Sequence, residues 1–194
     1  MAIQEFEKLI EILSEISVLS SKQCKTLAHF LVNNAAKIKE PLKELTFLLE
    51  KIQCCSICKT FTIDPTCWIC TSTERAKQLM IIEDIEKINQ FEKEKLFNGK
   101  YYLVPILFNK KFQQTQFDFD FLLTYLNEFD EVILAINSTT EGILTANLII
   151  DKIKENHKNI KITQLATGIP LGVKMEYIDD LTLSYALKNR KELE

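Results

Sequence analysis

Two pairs of cysteines constrain the fold of this chain more than any other feature. Cys55 and Cys58 form one Cys-x2-Cys pair, and Cys67 and Cys70 form a second pair, with eight residues between the two pairs. Each pair can present two thiolates to one tetrahedral zinc ion, and four thiolates fill its coordination sphere. Because no position remains for water, such an ion would be structural rather than catalytic. The spacing therefore predicts a zinc module at residues 54–73.

Other interpretations of the cysteine pairs remain open. The thiols could be buried as small apolar side chains, or they could be redox pairs in which Cys55 works with Cys58, or Cys67 with Cys70. Two such pairs so close together make both hypotheses weaker than the zinc hypothesis. Cys54 could replace Cys55 as a ligand, although the two-residue spacing to Cys58 favours Cys55.

Two further side chains receive structural interpretations. Cys24 stands alone on a predicted helix and is expected in a hydrophobic core. Trp68 lies between two predicted ligands, and we expect it to shield the metal or pack the module rather than to stack on a nucleic-acid base.

The start of the chain and its charge favour a cytoplasmic protein without membrane association. Charged residues between Glu5 and Glu11 interrupt any apolar run that could form a signal peptide, and no later run approaches the roughly 20 apolar residues that span a bilayer. In a reducing compartment, five cysteines within seventeen residues favour metal over disulfides. With a net charge of -3, DNA contact would need a local basic face or several converging subunits.

The segment before the cysteines, residues 1–53, carries the pattern of three helices. Apolar residues at three- to four-residue spacing predict an amphipathic helix over residues 3–14. Ser20 or Ser21 can cap a second helix, and Pro41 suits the first turn of a third. The inward stripe of the second helix would be Leu27, Phe30 and Leu31. The apolar residues of the third helix are Leu42, Leu45, Leu48, Leu49 and Ile52.

Beyond the cysteines, short apolar runs alternate with longer amphipathic segments. This alternation predicts an α/β domain at residues 78–173, with a mostly parallel sheet covered on both faces, and a C-terminal helical segment at residues 174–194. The predicted strands are 79–83, 101–107, 131–136 and 160–166. The predicted helices are 84–91, 117–129, 142–155 and 179–189. The expected fold class is therefore α+β, built from several modules.

Two carboxylates are predicted at the same edge of this sheet. Glu83 ends an apolar run, and Glu141 lies in the loop that follows the strand ending at residue 136. Ligand sites in open α/β folds collect at the carboxyl ends of strands, so Glu83 and Glu141 could share a magnesium site for phosphate chemistry. Equally compatible with the pattern is a simple position at helix N-termini, where the dipole favours negative charge.

An ordered series of motifs runs through nearly the whole chain. N-terminal helices are followed by the cysteine pairs, with Cys67-Trp68-Ile69-Cys70, and by Ile81-Ile82-Glu83 at the start of the α/β domain. The later motifs are residues 132–142 (Val-Ile-Leu-Ala-Ile-Asn-Ser-Thr-Thr-Glu-Gly), Ala146-Asn147, Gly168-Ile169-Pro170-Leu171-Gly172, residues 181–184 (Leu-Thr-Leu-Ser) and Ala186-Leu187. In this order they resemble the RecR family of bacterial recombination mediators, which combines a helix-hairpin-helix element, a zinc module and a Toprim-like domain.

The resemblance implies a non-enzymatic DNA-repair protein that forms homodimers and ring-like homotetramers and binds DNA as an oligomer. Its implied protein partners are RecO and in some cases RecF, with which it helps to load RecA on single-stranded DNA coated by single-strand-binding protein. One structural zinc ion per chain and a Toprim-like surface for partners and assembly also follow from the resemblance.

The hairpin departs from the family pattern. The family hairpin usually carries two glycines that let backbone amides approach a phosphate, and residues 17–22 contain none. Lys22 matches a basic position of the family, whereas the next basic position falls on Thr26, with Lys25 one residue away as a substitute. Lys22 and Lys25 are the DNA-binding candidates, and an ordinary solvated lysine is an equally good interpretation of Lys25.

The Toprim-like segment departs from its catalytic relatives. Toprim enzymes hold metal with a glutamate and an Asp-x-Asp pair, and those positions here are Glu83, Asn137 and Thr139. Losing two carboxylates weakens magnesium binding, which argues against the alternative function of a magnesium-dependent phosphodiester enzyme. Glu83, Asn137, Thr139 and Glu141 are therefore predicted to serve partner binding or assembly.

Overall fold

The computed structural model describes residues 2–105, 117–166 and 168–190 of the chain. It divides into two compact units, Met1–Gln53 and Cys54–Glu194. N-terminal helices, a four-cysteine cluster, a parallel four-stranded sheet and a C-terminal helix confirm the predicted α+β class. The finer division into four segments stays a prediction.

The first unit consists of three helices, α1 (Ala2–Ile16), α2 (Ser21–Asn33) and α3 (Ala35–Lys51). Ser20 caps α2 in a capping box, because its hydroxyl accepts from the Gln23 backbone and the Gln23 side chain accepts from the Ser20 backbone. Helices α1 and α2 pack together around a small core. Its buried residues are Leu13, Cys24 and Ala28.

Two expectations for this unit were wrong. Pro41 lies inside α3 rather than in its first turn, because the helix already begins at Ala35, where two alanines favour it. Phe30, expected to face inward, is 55% exposed, while Leu27 and Leu31 do pack on the core. Helix α3 contains no buried residue among those described, so its apolar side chains stay at the surface.

The second unit begins with the cysteine-rich segment. The two-residue strands β1 (Gln53–Cys54) and β2 (Phe61–Thr62) flank the first cysteine pair. Cys67 of the second pair is the N-cap of the short helix α4 (Trp68–Thr71), and Cys70 lies within that helix. The main sheet follows, with β3 (Gln78–Ile82), β4 (Lys100–Leu103), β5 (Glu131–Ala135) and β6 (Lys161–Gln164). All its strand pairs are parallel, and their order is β4-β3-β5-β6.

The helices between these strands are α5 (Ile85–Lys93), α6 (Phe119–Tyr125) and α7 (Thr140–Asn156), and α8 (Asp180–Lys188) closes the described chain. The strand expected at residues 101–107 ends at Leu103, and its last two residues lie outside the described ranges. Within those ranges, no helix is both long enough and apolar enough to cross a membrane.

The central strand β3 is buried on both faces of the sheet. Leu79 and Ile81 belong to one hydrophobic cluster, which α6 and α7 help to form, whereas Met80 and Ile82 belong to another. This second cluster also contains the four cysteines of the predicted metal site. The near-continuous apolar run of β3 is thus the pattern of a parallel strand covered on both faces.

A close backbone approach fixes the connection from β5 to α7. A Cβ atom at Gly142 would lie 2.1 Å from the carbonyl oxygen of Asn137, so only glycine fits there. The Thr139 hydroxyl caps α7 by accepting from the Gly142 N–H at 3.1 Å. This connection holds the predicted loop residues at the carboxyl edge of the sheet.

Candidate metal centre

The four predicted cysteines form one compact, buried cluster. The Sγ atoms of Cys55, Cys58, Cys67 and Cys70 all lie within 4.8 Å of one another. The Cys55–Cys70 separation is 3.9 Å and the Cys58–Cys67 separation is 3.5 Å. A tetrahedral zinc ion with bonds of about 2.3 Å to sulfur requires edges of about 3.8 Å, so the sulfur positions fit a metal ion.

The contacts between sulfurs bear on the competing hypotheses. Both short contacts join a cysteine of one pair to a cysteine of the other, as expected for a single four-ligand site. Reactive redox cysteines are partly exposed, whereas all four of these thiols are buried. Cys54 is exposed and lies outside the cluster. In the described part of the chain, no other group of three or more His, Cys, Asp or Glu side chains could hold a metal.

Tight turns aim the first pair of sulfurs at the second. The Cys55 N–H donates to the Thr60 carbonyl at 2.7 Å, and Lys59 between them takes a left-handed backbone conformation with φ of 64°. The Cys67 N–H donates to the Cys55 Sγ at 3.3 Å, which links the two pairs directly. Cys67 also precedes α4 as its N-cap residue, so the helix start positions this ligand.

Cys58, Cys67 and Cys70 compete for protons at such short range. A hydrogen bond with Cys67 raises the pKa of Cys58 to about 12, and the same hydrogen bond lowers the pKa of Cys67. Hydrogen bonds with Cys58 and Cys67, and then burial, raise the pKa of Cys70. A divalent cation would end this competition by compensating the thiolate charge, so metal binding here is coupled to proton release.

The cysteine cluster is attached to the free edge of the main sheet. The Leu103 N–H of edge strand β4 donates to the Cys58 carbonyl at 2.9 Å. The Lys100 ammonium, at the other end of β4, donates to the Cys70 carbonyl at 3.0 Å. The Leu103 contact covers a backbone donor that an edge strand would otherwise present to another chain.

A buried ion pair strengthens this attachment. Arg75, shortly after the second cysteine pair, donates to Glu92 Oε1 at 2.9 Å and to the Gly99 carbonyl at 2.8 Å. The Tyr101 hydroxyl donates to the same Glu92 oxygen at 2.7 Å. Burial would raise the pKa of Glu92, but the hydrogen bonds from Arg75 and Tyr101 outweigh burial and lower it. The network joins the cysteine-rich segment to α5 and β4.

Of the two roles expected for Trp68, shielding of the metal is not observed. Its residue is 65% exposed, so it does not shield the cluster. The guanidinium carbon of the buried Arg75 lies 4.9 Å from the centre of the Trp68 ring, which is a cation–π contact. The expectation failed because a side chain between two ligands in a helical turn points away from the sulfurs when both ligands point inward.

The predicted sheet-edge residues lie on neighbouring strand ends. Glu83 follows β3, and its Oε1 accepts from the Asn137 N–H at 3.2 Å across the edge. Glu83 Oε2 is buried and has no hydrogen-bond partner among the described residues. Thr139 is used as the α7 cap, and Glu141 sits in the first turn of α7, where the helix dipole favours it. These contacts give the loop a structural explanation.

Known proteins similar to this chain cover nearly its full length. A relative from Mycoplasmopsis pulmonis named Recombination protein RecR is 32% identical over 191 residues, which are 97% of this chain and 98% of the relative. Relatives of that name from Phytoplasma mali and Chloroherpeton thalassium are each 34% identical and cover 95% and 96% of this chain, and 93% and 96% of their own lengths. The chain belongs to the RecR family. A family model described as RecR, C-terminal, also matches residues 168–191.

In this RecR-family chain, both candidate DNA-binding lysines lie on α2 and are exposed. Lys22 is in the first turn of α2, next to the capping box. The box already uses the Ser20 and Gln23 amides, which takes two backbone donors from any phosphate at this helix start. Lys25 follows one turn later on the helix. Both lysines belong to the first unit, whereas the cysteine cluster and the sheet edge belong to the second, and the role of the lysines stays a prediction.

Several residues around the candidate metal centre were missed by sequence reasoning. Arg75, Glu92 and Tyr101 form the buried network, and Thr60 contacts a cysteine sulfur. Only the position of Arg75 close behind the second cysteine pair could have drawn attention to it. Its partners lie 17 to 24 residues further along the chain, and no spacing rule connects them.

Proposed function

We propose that this chain is a non-enzymatic recombination mediator in DNA repair that binds DNA as a homo-oligomer and holds one structural zinc ion per chain. The observation that carries the proposal is the similarity to proteins named Recombination protein RecR over nearly the whole of both chains. The buried cluster of four cysteines supports the zinc ion, because four thiolates are the donor set of structural zinc sites.

Assembly is supported by apolar surface that the described chain leaves uncovered. Leu45, Leu48 and Leu49 on α3 are all exposed, although soluble monomers rarely leave such side chains together at the surface. Leu171, Leu181 and Leu187 in the C-terminal segment are also exposed. We propose that homodimers and homotetramers cover such surfaces, and that DNA then contacts Lys22, and Lys25 as a substitute, on several converging subunits.

We propose that the protein works in the cytoplasm together with other proteins. The oligomer would act with RecO, and in some cases RecF, to help load RecA on single-stranded DNA. Glu83, Asn137, Thr139 and Glu141 would contribute to partner binding or assembly at the sheet edge. The alternative, a magnesium-dependent phosphodiester enzyme, has less support because Asn137 and Thr139 replace carboxylates and Thr139 already caps a helix.

Native mass spectrometry of the purified chain, alone and with a short single-stranded oligonucleotide, tests the proposal. It counts subunits, metal ions and bound DNA in one experiment. We expect dimers or tetramers that carry one zinc ion per chain and take up DNA. A zinc-free monomer that ignores DNA would contradict the proposal, and magnesium-dependent cleavage of the oligonucleotide would favour the enzyme alternative.

A further inference from the structure

Thr60 contacts the first cysteine pair at two points. Its carbonyl accepts from the Cys55 N–H at 2.7 Å, and its Oγ1 lies 2.9 Å from the Cys58 Sγ. Thr60 is only 5% exposed, and no other partner of its hydroxyl is found in the described ranges. Burying a hydroxyl is unfavourable unless it is hydrogen-bonded, so this contact accounts for a polar side chain inside the module.

Metal binding decides the direction of this hydrogen bond. A thiol and a hydroxyl can each donate, but a metal-bound cysteine is a thiolate without a proton. The Thr60 hydroxyl must then be the donor and the Cys58 sulfur the acceptor. Hydrogen bonds to ionised acceptors are stronger than neutral ones, and four thiolates around one dication leave net negative charge to stabilise.

We propose that Thr60 is a positioning residue of the metal centre, whose hydroxyl donates to the Cys58 thiolate, fixes its orientation and withdraws charge from its sulfur. The inference rests on the proposed zinc site. A thiolate that accepts a hydrogen bond is a weaker nucleophile, so Thr60 makes Cys58 resist alkylation and makes the metal harder to extract. Cys55 receives a comparable bond from the Cys67 backbone, which no side-chain change can remove.

Two substitutions of Thr60 distinguish the effect of its hydroxyl from the effect of its side-chain shape. Thr60→Val keeps the branched side chain and removes the donor, whereas Thr60→Ser keeps the donor and serves as the matched control. For the valine variant we expect about a tenfold rise in the rate of zinc extraction by a chromogenic chelator, the lower end of the effect of outer-shell changes. In the cobalt-substituted protein, the sulfur-to-metal absorption band should move to lower energy. The serine variant should match wild type in both measurements.

The wild-type chain provides a measurement that does not depend on how the valine variant folds. In protein loaded with cadmium-113, we expect the Thr60 hydroxyl proton to exchange slowly with solvent and to couple to the metal through Cys58. A folded Thr60→Val variant with the wild-type extraction rate and absorption band would overturn the proposed role of Thr60 and leave the zinc site intact. Absence of the coupling between the Thr60 hydroxyl proton and cadmium would do the same. A wild-type chain that binds no zinc, cobalt or cadmium would overturn the proposed metal site as well.

Discussion

The four-cysteine segment and the N-terminal helices are stabilised in different ways. Each is too small to build a large hydrophobic core, and small segments need a cross-link, a metal or a partner. The cysteine segment has four buried ligands, hydrogen bonds to edge strand β4 and a buried ion pair. The helical unit buries Leu13, Cys24 and Ala28 and leaves the apolar residues of α3 exposed. The first is therefore joined to the sheet and suited to completion by a metal ion, and the second is suited to completion by another protein surface.

Removal of one cysteine ligand is expected to give the largest loss of stability, and it tests whether a metal ion stabilises the four-cysteine segment. We expect Cys67→Ser to lose zinc and to lower the free energy of unfolding by at least about 3 kcal/mol, because structural zinc contributes folding energy directly. The matched control is Cys54→Ser, since Cys54 is exposed and lies outside the cluster. Thermal unfolding measures the stability of both variants, and metal analysis measures their zinc content.

Hydrogen exchange locates the effect of that substitution. Protection should fall around the cysteines and in β4, whose amide at Leu103 bonds to Cys58, and should persist in α1 and α2. A zinc-free Cys67→Ser protein of unchanged stability would show that the metal does not hold the segment. Equal loss of protection in α1 and α2 would show that the two regions are not independent.

Disruption of the ion pair between Arg75 and Glu92 is expected to give the second largest loss of stability. The side chains of Arg75 and Glu92 are only 9% and 16% exposed, and breaking a buried pair leaves a charge without a partner. We expect Glu92→Gln to lower the free energy of unfolding by about 3 kcal/mol at neutral pH, the lower end of the cost of breaking a buried ion pair. Glu155→Gln is the control, because Glu155 pairs with Lys152 at the surface and should change stability by less than about 0.5 kcal/mol.

The pH dependence of this difference follows from the direction of the pKa shift. Hydrogen bonds from Arg75 and Tyr101, working against burial, hold the pKa of Glu92 below that of an unfolded glutamate. Its stabilisation is therefore present above the unfolded value of about 4.3 and is lost as the pH falls through the lowered folded pKa. The gap between wild type and Glu92→Gln in denaturant unfolding should narrow in acid. A gap that stays constant from neutral pH to pH 3 would refute this assignment.

The two regions also differ in how much of them could be predicted from sequence. The cysteine spacing and the apolar run of β3 are local patterns, and they correctly indicated the cluster and the central strand. The exposure of Phe30 and of α3 could not be predicted, because periodicity finds the apolar face of a helix without showing what covers it. Pro41 misled because proline is over-represented at helix starts, and here the helix begins six residues earlier, at Ala35.

The smallest expected effect concerns DNA binding by the helical unit. If Lys22 contacts a phosphate, Lys22→Ala should weaken binding of a single-stranded oligonucleotide several-fold and lower the slope of log affinity against log salt by about 0.7 per site. Zinc content and assembly should not change, because Lys22 is exposed and distant in sequence from the cysteines. Fluorescence anisotropy across a salt series measures the slope.

Substitutions of two other lysines make the interpretation of this measurement more specific. Lys43→Ala on α3 removes an exposed lysine that pairs with Glu40, and it should leave the salt slope unchanged. Lys25→Ala distinguishes a second phosphate contact, which would lower the slope as Lys22→Ala does, from an ordinary solvated lysine, which would not. An unchanged slope for Lys22→Ala would remove Lys22 from the DNA site. The capping box would then explain the helix start by itself, as a local structural device without a ligand.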